Sequence, residues 1–362
     1  MAVNEYKVDH FQEYIEVVSS IGKRRKSKLG HPPVLWFRGH RKQSWNLSPT
    51  LLRGVKLNSI AGVNNASGRA MEEELRKQHY LAKNYHFLSK DPKTNIEWYE
   101  VMQHHGVKTR LLDWSESAVH SLIFALECFF DEKQYRTVDR INSSPCVWIL
   151  EPIEWNLKAI KKLLFNKKIL DECVDRLCAS YRKKCRIRKR YEELVLAFDD
   201  YIKSDSTEHL KGIFNMSSMM EGLQMKSNSE WVQLLEKGEL YYCLFNLLIF
   251  IYLSTEQKSW NDVLPLSIVE SYHSERIRAQ KGAFSIFPYY KEDDLYKNVA
   301  KMGILLDAME YMRDGNYFLH KVLLRNPTEI AFEVMNSGLN VSWLYPEMPV
   351  VANAIEQREI FY

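Results

Sequence analysis

The chain has 362 residues, of which 46% are hydrophobic and 12% aromatic. That is enough apolar material for one large or two ordinary domains with a substantial core, and it excludes an intrinsically disordered chain. The formal net charge of +4 is small for this length. It does not by itself indicate nucleic-acid binding, for which a local basic cluster is needed.

The cysteines, the opening residues and the longest apolar run predict where in the cell the protein is found. The six cysteines form no CxxC pair, so they predict small buried side chains rather than a zinc site. The opening residues MAVNEYKVDHFQEY are polar and do not resemble a secretory leader, so we expect a cytoplasmic protein. The apolar run Leu240–Leu253 contains Asn246 and is shorter than the roughly 18 to 20 residues that span a bilayer. It therefore predicts a buried helix and no membrane partner.

The N-terminal third begins with a helix pattern and continues into a strand pattern. Apolar side chains at helical spacing over Asn4–Gly22 predict an amphipathic helix. The following stretch KRRKSKLGHPP predicts a surface loop, because it is basic and ends in glycine and proline. The run VLWF, which ends at Phe37, predicts a strand. Another helix is predicted over about 69–88, because acidic residues lie near the start of this stretch.

Two more helices and a buried strand follow before residue 150. The segment IEWYEVMQHHG predicts a helix that ends at Gly106, where glycine supplies a left-handed cap. Ser115 is predicted to cap the next helix, whose apolar face runs from Ala118 to Phe129. The segment PCVWILEP predicts a strand that is buried on both faces.

The remaining chain divides into a helical part and a mixed part. Residues 151–262 predict an almost wholly helical insertion. Strand patterns return in GAFSIFPYY and NYFLHKVLL, a helix is predicted from Asn326 to Gly338, and NVSWLYPEM predicts a last short strand. The sequence thus predicts an α+β fold, a small mixed sheet flanked by helices, built from residues 1–150 and completed by 263–362.

Arg38 and Gly39 raise the first functional question, because they end an apolar strand. A cation there costs free energy unless it is paired or placed at a cleft. One interpretation pairs Arg38 with Asp113 or Glu73 to fix the fold. The other presents its guanidinium to a phosphate-bearing ligand, with Gly39 letting the backbone come close.

Two sequence blocks resemble the signature blocks of the FRG domain family, which is named for Phe37, Arg38 and Gly39. They are WFRGHRKQSWNLSPTLLR and QHHGVKTRLLDWSESAVHSLIFALE, and ERIRAQKGAFSIFP resembles a third, weaker block. The sequence departs from the usual pattern at His40, where glutamine is common, at Lys108, where proline is common, and at Ser115, where threonine is common. The resemblance implies a setting in bacterial or phage genomes, near defence genes, but no settled reaction.

The three blocks are predicted to converge on one cleft. Arg38 and His104 are the catalytic candidates, since a histidine can exchange protons near neutral pH. The ligand-binding candidates are Gly39, His105, Arg110, Asp113, Trp114, Arg276 and Gln280. Each also has a purely structural interpretation: a packed histidine, an Arg110–Asp113 ion pair, or a core tryptophan. A metal site is not expected, because neighbouring histidines on a helix diverge.

A basic run offers a different surface. Seven cations lie within ten residues, at Arg182, Lys183, Lys184, Arg186, Arg188, Lys189 and Arg190. They could bind nucleic acid through its phosphates, or form a solvated helix face balanced by Glu192 and Glu193.

Three functional hypotheses therefore remain open. The first is an enzyme that consumes NAD, with a protein as one class of target. A strand followed by Arg-Gly resembles the first motif of arginine-type ADP-ribosyltransferases, and this resemblance implies that Arg38 positions the NAD phosphates or ribose. Those enzymes use a glutamate on a late strand to stabilise the positive charge of the transition state. This sequence offers no such residue, because Glu329 and Glu333 fall on a predicted helix. The second is a nucleic-acid-binding or processing protein that uses the basic run, and the third is a non-catalytic interaction module in a defence system.

Overall fold

A computed structural model describes residues 4–29, 33–50, 95–104, 106–130, 142–156, 264–269, 278–287, 318–339 and 341–345, with six single positions between 159 and 196. These residues include seven strands: β1 (Asn4–Val8), β2 (Trp36–His40), β3 (Leu111–Ser115), β4 (Cys146–Leu150), β5 (Leu266–Val269), β6 (Gly282–Ile286) and β7 (Leu319–Leu324). The α-helices with named bounds are α1 (Phe11–Leu29), α2 (Asn95–His104), α3 (Ala118–Phe130) and α4 (Pro327–Asn336). A 3-10 helix, Val341–Trp343, follows α4.

The strands form one mixed sheet in the order β1-β7-β4-β2-β3-β6-β5. Only the β1–β7 pair is parallel among the described pairs, and the other neighbours are antiparallel. The predicted α+β class with a mixed sheet is therefore confirmed.

Alternating side chains place a separate apolar core on each face of the sheet. Phe37, Val147 and Val322 point to the face that α1, α3 and α4 cover. Trp36 and Trp148 point to the opposite face, where Trp155 packs on them. Since every residue of β4 is buried, this strand lies at the centre of the molecule, as its continuous apolar sequence predicts.

The ladder between β2 and β3 is short, and this positions the site. β2 pairs with β4 through all five residues, and β3 pairs with β6 through all five. Between β2 and β3 the register contains a single pair, Phe37 with Ser115. Beyond that pair the two strands separate, so the sheet opens in its interior rather than at an edge.

The N-terminal helix prediction was wrong at both ends. Asn4–Val8 form a strand, because they pair in parallel with β7. Their side chains alternate in exposure, as in a strand with one face on the core. The helix starts at Phe11 and continues through the predicted basic loop to Leu29. Lysine and arginine are good helix formers, so charge alone does not stop a helix before glycine or proline does.

Three smaller predictions also differ from the structure. Ser115 lies in β3, and the first turn of α3 is instead capped by Ser117, whose Oγ accepts from the His120 N–H at 3.3 Å. The expected last strand is the 3-10 helix. β5 was not predicted, because a four-residue strand directly after a proline gives little periodic signal. The helix expected over 69–88 lies outside the described residues.

Among the residues that the structure describes, none of the helices has both the length and the apolar character needed to cross a membrane. The run Leu240–Leu253 is not among them.

Candidate functional site

A cleft of about 380 Å³ occupies the opening between β2 and β3. Its walls come from β2 and the loop after it, from β3 and β6, and from the facing sides of α2 and α3. This volume is within the range of small-molecule sites. The cleft gathers side chains from residue 37 to residue 284, so segments far apart in the sequence share one concave surface.

Arg38 bridges the two separating strands. Its Nη1 donates to the backbone oxygen of Asp113 at 2.5 Å and lies 3.5 Å from the carboxylate Oδ2 of the same residue. Its Nε donates to Nε2 of His40 at 3.0 Å. The arginine side chain is 14% exposed, so the guanidinium is held in place and still reaches the cleft. The Asp113 pairing predicted as the fold-fixing interpretation is present.

Asp113 belongs to a hydrogen-bonded chain that fixes the cleft wall. The Gln103 side-chain amide donates to Asp113 Oδ1, and the Thr109 hydroxyl donates to Gln103 Oε1. The Thr109 oxygen also accepts from the Leu111 N–H at 3.2 Å. Each group donates where its neighbour accepts, so α2 and β3 are locked together beneath Arg38.

Gly39 is required by the packing of α3. A Cβ at this position would lie 2.0 Å from the Ser121 backbone oxygen and 2.6 Å from the Ala125 nitrogen. The helix backbone thus takes the space that a side chain would fill. Gly39 also lines the cleft, so it brings α3 close to the ligand space as well as to β2.

The loop after β2 adds a cation and an aromatic surface. The Arg41 guanidinium lies over the Trp45 ring, 5.7 Å from its centroid, and His40 meets the same ring edge-on at 6.0 Å. Trp45 is 42% exposed, which is unusual for so large an apolar side chain. Both Arg41 and Trp45 line the cleft.

Two glutamates bring negative charge into the cleft. Glu100 on α2 is 2% exposed, and Glu127 on α3 is half-buried. The Tyr345 hydroxyl donates to Glu127 Oε1 at 3.4 Å, and the Tyr345 ring packs edge-on against Phe124 at 6.2 Å. The cleft therefore combines arginines with carboxylates rather than presenting one sign of charge.

Gln280 lies in the cleft, where the prediction placed it, and is anchored at both ends. Its side-chain amide donates to the Leu344 backbone oxygen at 3.0 Å, and its backbone oxygen accepts from the Ser115 hydroxyl at 2.6 Å. His120 lies beside it, and burial lowers the pKa of this histidine despite a hydrogen bond with the Gln280 backbone. Gln280 thus ties the loop before β6 to β3 and to the segment after α4.

Arg110 does not join the cleft wall. It is 1% exposed, donates to the Phe287 backbone oxygen at 3.1 Å and to the Tyr99 hydroxyl at 3.3 Å, and stacks on the Tyr99 ring. The predicted Arg110–Asp113 ion pair is wrong, since Asp113 contacts Arg38 and Gln103 instead.

Trp114 lines the cleft but is 3% exposed, and its indole donates to Ser285 Oγ at 2.9 Å.

Several predicted site residues lie outside the described part of the chain. They are the side chain of His104, all of His105 and Arg276, and the basic run except Lys189, which is exposed. The convergence of Arg38, Gly39, Asp113, Trp114 and Gln280 is seen, while the roles of the histidines stay predictions. Among the described residues, no group of three histidine, cysteine or acidic side chains could hold a metal ion.

The cleft residues that sequence reasoning missed include Gln103, Glu100, Glu127, Arg41 and Trp45. Gln103 was visible as the first residue of the second block, and Glu100 lies three residues before it on the same helix face. Glu127 gave no signal, because an acid on an amphipathic helix normally faces solvent.

One of three comparisons with known proteins gives a match, and its range overlaps this site. The family model for the FRG domain matches residues 34–134, a range that contains β2, β3, α3 and most of the cleft. No curated protein matches the chain, and no solved structure does.

Proposed function

We propose that the cleft of this chain, which contains an FRG domain over residues 34–134, binds a phosphate-bearing nucleotide, with NAD as the substrate to test. The observation that carries this proposal is the meeting of Arg38, Arg41 and the exposed Trp45 ring in one cleft. Guanidinium groups bind phosphate oxygens through paired hydrogen bonds, and an exposed indole offers a face on which a base can stack.

The carboxylates fit cleavage of the bond between ribose and nicotinamide. In oxidised NAD the nicotinamide ring is cationic, so it leaves with the bonding electron pair as a neutral molecule and needs no proton. Positive charge then develops at the ribose, and a nearby carboxylate stabilises it until water or a protein nucleophile attacks the same carbon. Glu127 is our candidate for this carboxylate, because it is partly accessible and Tyr345 holds it.

Glu100 is the less suitable of the two glutamates. It is almost fully buried, so a bulky ligand has little direct access to its carboxyl group. In this proposal Glu127, on a helix, takes the part of the late-strand glutamate that the sequence does not offer.

The test measures ligand binding and nicotinamide release separately. Arg38→Met should weaken ADP-ribose binding about 10- to 100-fold in calorimetry, since a charge-assisted hydrogen bond is lost. Glu127→Gln should bind ADP-ribose within about 3-fold of the wild type yet release nicotinamide about 100-fold more slowly. Glu5→Gln, an exposed change on β1, is the control and should alter neither.

A wild-type protein that binds neither NAD nor ADP-ribose would remove the cleft as a nucleotide site. Arg38 would then have only the structural role that its Asp113 contact already indicates. Binding without nicotinamide release would keep the nucleotide site and remove the enzyme.

A defence role against phage is the setting that the family resemblance implies. We propose that it depends on the same cleft, so a phage challenge of bacteria carrying wild-type protein, Arg38→Met or Glu5→Gln should show protection lost only with Arg38→Met.

A further inference from the structure

We infer that His40 is a positioning residue, which sets the orientation of the Arg38 guanidinium through a lone pair on its ring. The inference rests on the proposed function for its consequence in ligand binding, but the contact itself can be tested without a ligand.

The direction of the hydrogen bond follows from the chemistry of arginine. The Arg38 guanidinium keeps all its protons in proteins, so its Nε can only donate. Nε2 of His40, 3.0 Å away, must therefore accept. An imidazole that accepts at Nε2 is neutral and carries its proton on Nδ1. The contact thus selects one of the three protonation forms of the His40 ring.

Packing holds the His40 ring in place. It is 3% exposed, its backbone pairs with Cys146 in β4, and its ring meets the edge of Trp45. The arginine is consequently held at two nitrogens, by His40 at Nε and by the Asp113 backbone oxygen at Nη1. The bond to Cδ supplies a third fixed point, so the plane of the guanidinium is defined, and this plane decides which phosphate oxygens can pair with it.

Glutamine is the substitution that should preserve this contact. The glutamine amide also carries an acceptor, its Oε1, at a similar reach from the backbone. Methionine has comparable length but no comparable acceptor, so it would leave the Arg38 Nε–H without this partner. His40→Gln and His40→Met therefore form a matched pair that separates acceptor chemistry from packing.

The ligand-free test uses nuclear magnetic resonance of the full-length protein labelled at histidine and arginine nitrogens. At neutral pH we expect one histidine with a protonated Nδ1 and an unprotonated Nε2, whose signals disappear in His40→Gln. We expect the Arg38 Nε–H, assigned through Arg38→Met, to exchange slowly with water in wild type and His40→Gln and at least about 10-fold faster in His40→Met. A His40 ring protonated at Nε2, or equal exchange in all three proteins, would overturn the inference.

The ligand test uses ADP-ribose and a double-mutant cycle. His40→Gln should bind within about 3-fold of the wild type, and His40→Met about 10-fold more weakly, with unchanged melting temperatures. In an Arg38→Met background, His40→Met should have no further effect, because His40 acts through the arginine. Additive losses would show that His40 contributes by another route and would also overturn the inference. If the wild type binds no nucleotide, the proposed function fails alone and the resonance experiment still decides this one.

Discussion

At the residue scale, Gly39 shows how the backbone of one element dictates a side chain in another. The missing Cβ lets α3 approach β2 so closely that Ser121 and Ala125 occupy its place. The same approach brings Ser121, Phe124 and Glu127 to the cleft. Gly39 is therefore needed both for its own place in the cleft wall and for the position of the α3 side chains that complete the wall.

We expect Gly39→Ala to lower the free energy of unfolding by about 3 kcal/mol or more, because the added carbon overlaps rigid helix backbone rather than a movable side chain. Urea unfolding followed by circular dichroism measures this. Gly22→Ala is the matched control: Gly22 lies inside α1 with no heavy atom within 4 Å of an added Cβ. That change should be neutral or stabilising by about 0.5 to 1 kcal/mol. Equal effects of the two changes would contradict the packing argument.

Arg38 and Arg110 show what residue identity alone leaves open. Both arginines belong to the sequence blocks, and both were predicted to meet a ligand. Arg38 faces the opening in the sheet, whereas Arg110 is buried on Tyr99. The difference arises because β3 and β2 separate only beyond Phe37, and no local pattern in either segment reveals where a ladder between them ends.

At the element scale, the start of α1 depends on a side chain from α4. The Phe11 N–H donates to Glu333 Oε2 at 2.6 Å, and His10 Nδ1 lies 2.8 Å from Oε1 of the same carboxylate. A carboxylate at a helix N-terminus satisfies a backbone donor and opposes the helix dipole. The sequence could not show this contact, since the partners are 322 residues apart.

The pair makes stability depend on pH in a defined direction. The hydrogen bond from the Phe11 N–H lowers the pKa of Glu333 below its ordinary value of 4.5, with His10 adding to the effect. The hydrogen bond to Glu333 raises the pKa of His10 above 6.5. The glutamate contribution is thus present above pH 4.5 and lost as pH falls through its folded pKa, while the histidine contribution is present below pH 6.5 and lost as pH rises through its folded pKa.

We therefore expect Glu333→Ala to destabilise the protein by about 1 kcal/mol. The difference from the wild type should be largest between pH 4.5 and 6.5 and should shrink in more acidic solution. Denaturant unfolding across this range measures it, with Glu5→Ala as a control for the loss of one exposed acid. A difference that stays constant as the solution is acidified would argue against an ionised cap.

Element prediction succeeded where one physical signal dominated and failed where two competed. The centre of β4 and the end of α2 followed directly from a continuous apolar run and from Gly106, whose φ is +80°. Asn4–Val8 were misassigned, because the same apolar residues fit a helical period and a strand alternation. Parallel pairing with β7 decided between them, and that pairing is a tertiary contact.

At the scale of the whole molecule, the sheet interleaves strands from distant parts of the chain. β7 lies between β1 and β4. β3 forms a single pair with β2 on one side, and it pairs along its whole length with β6 on the other. Strand patterns predicted a mixed sheet, but they could not predict this order, because order depends on which distant strands meet.

The interleaving predicts that residues 1–160 cannot fold alone, although they contain four strands and most of the cleft. Without β7, β1 loses its parallel partner, and without β6, β3 keeps a single pair with β2. Unpaired buried backbone groups are costly, and each core would lose part of its cover. We expect this fragment to show no cooperative thermal transition by circular dichroism, and to gain one when it is produced together with residues 263–362, which bring β5, β6 and β7. A cooperative transition in the fragment alone would mean that β2 and β4 form an independent nucleus, and the cleft would then belong to a smaller folding unit than the seven-stranded sheet.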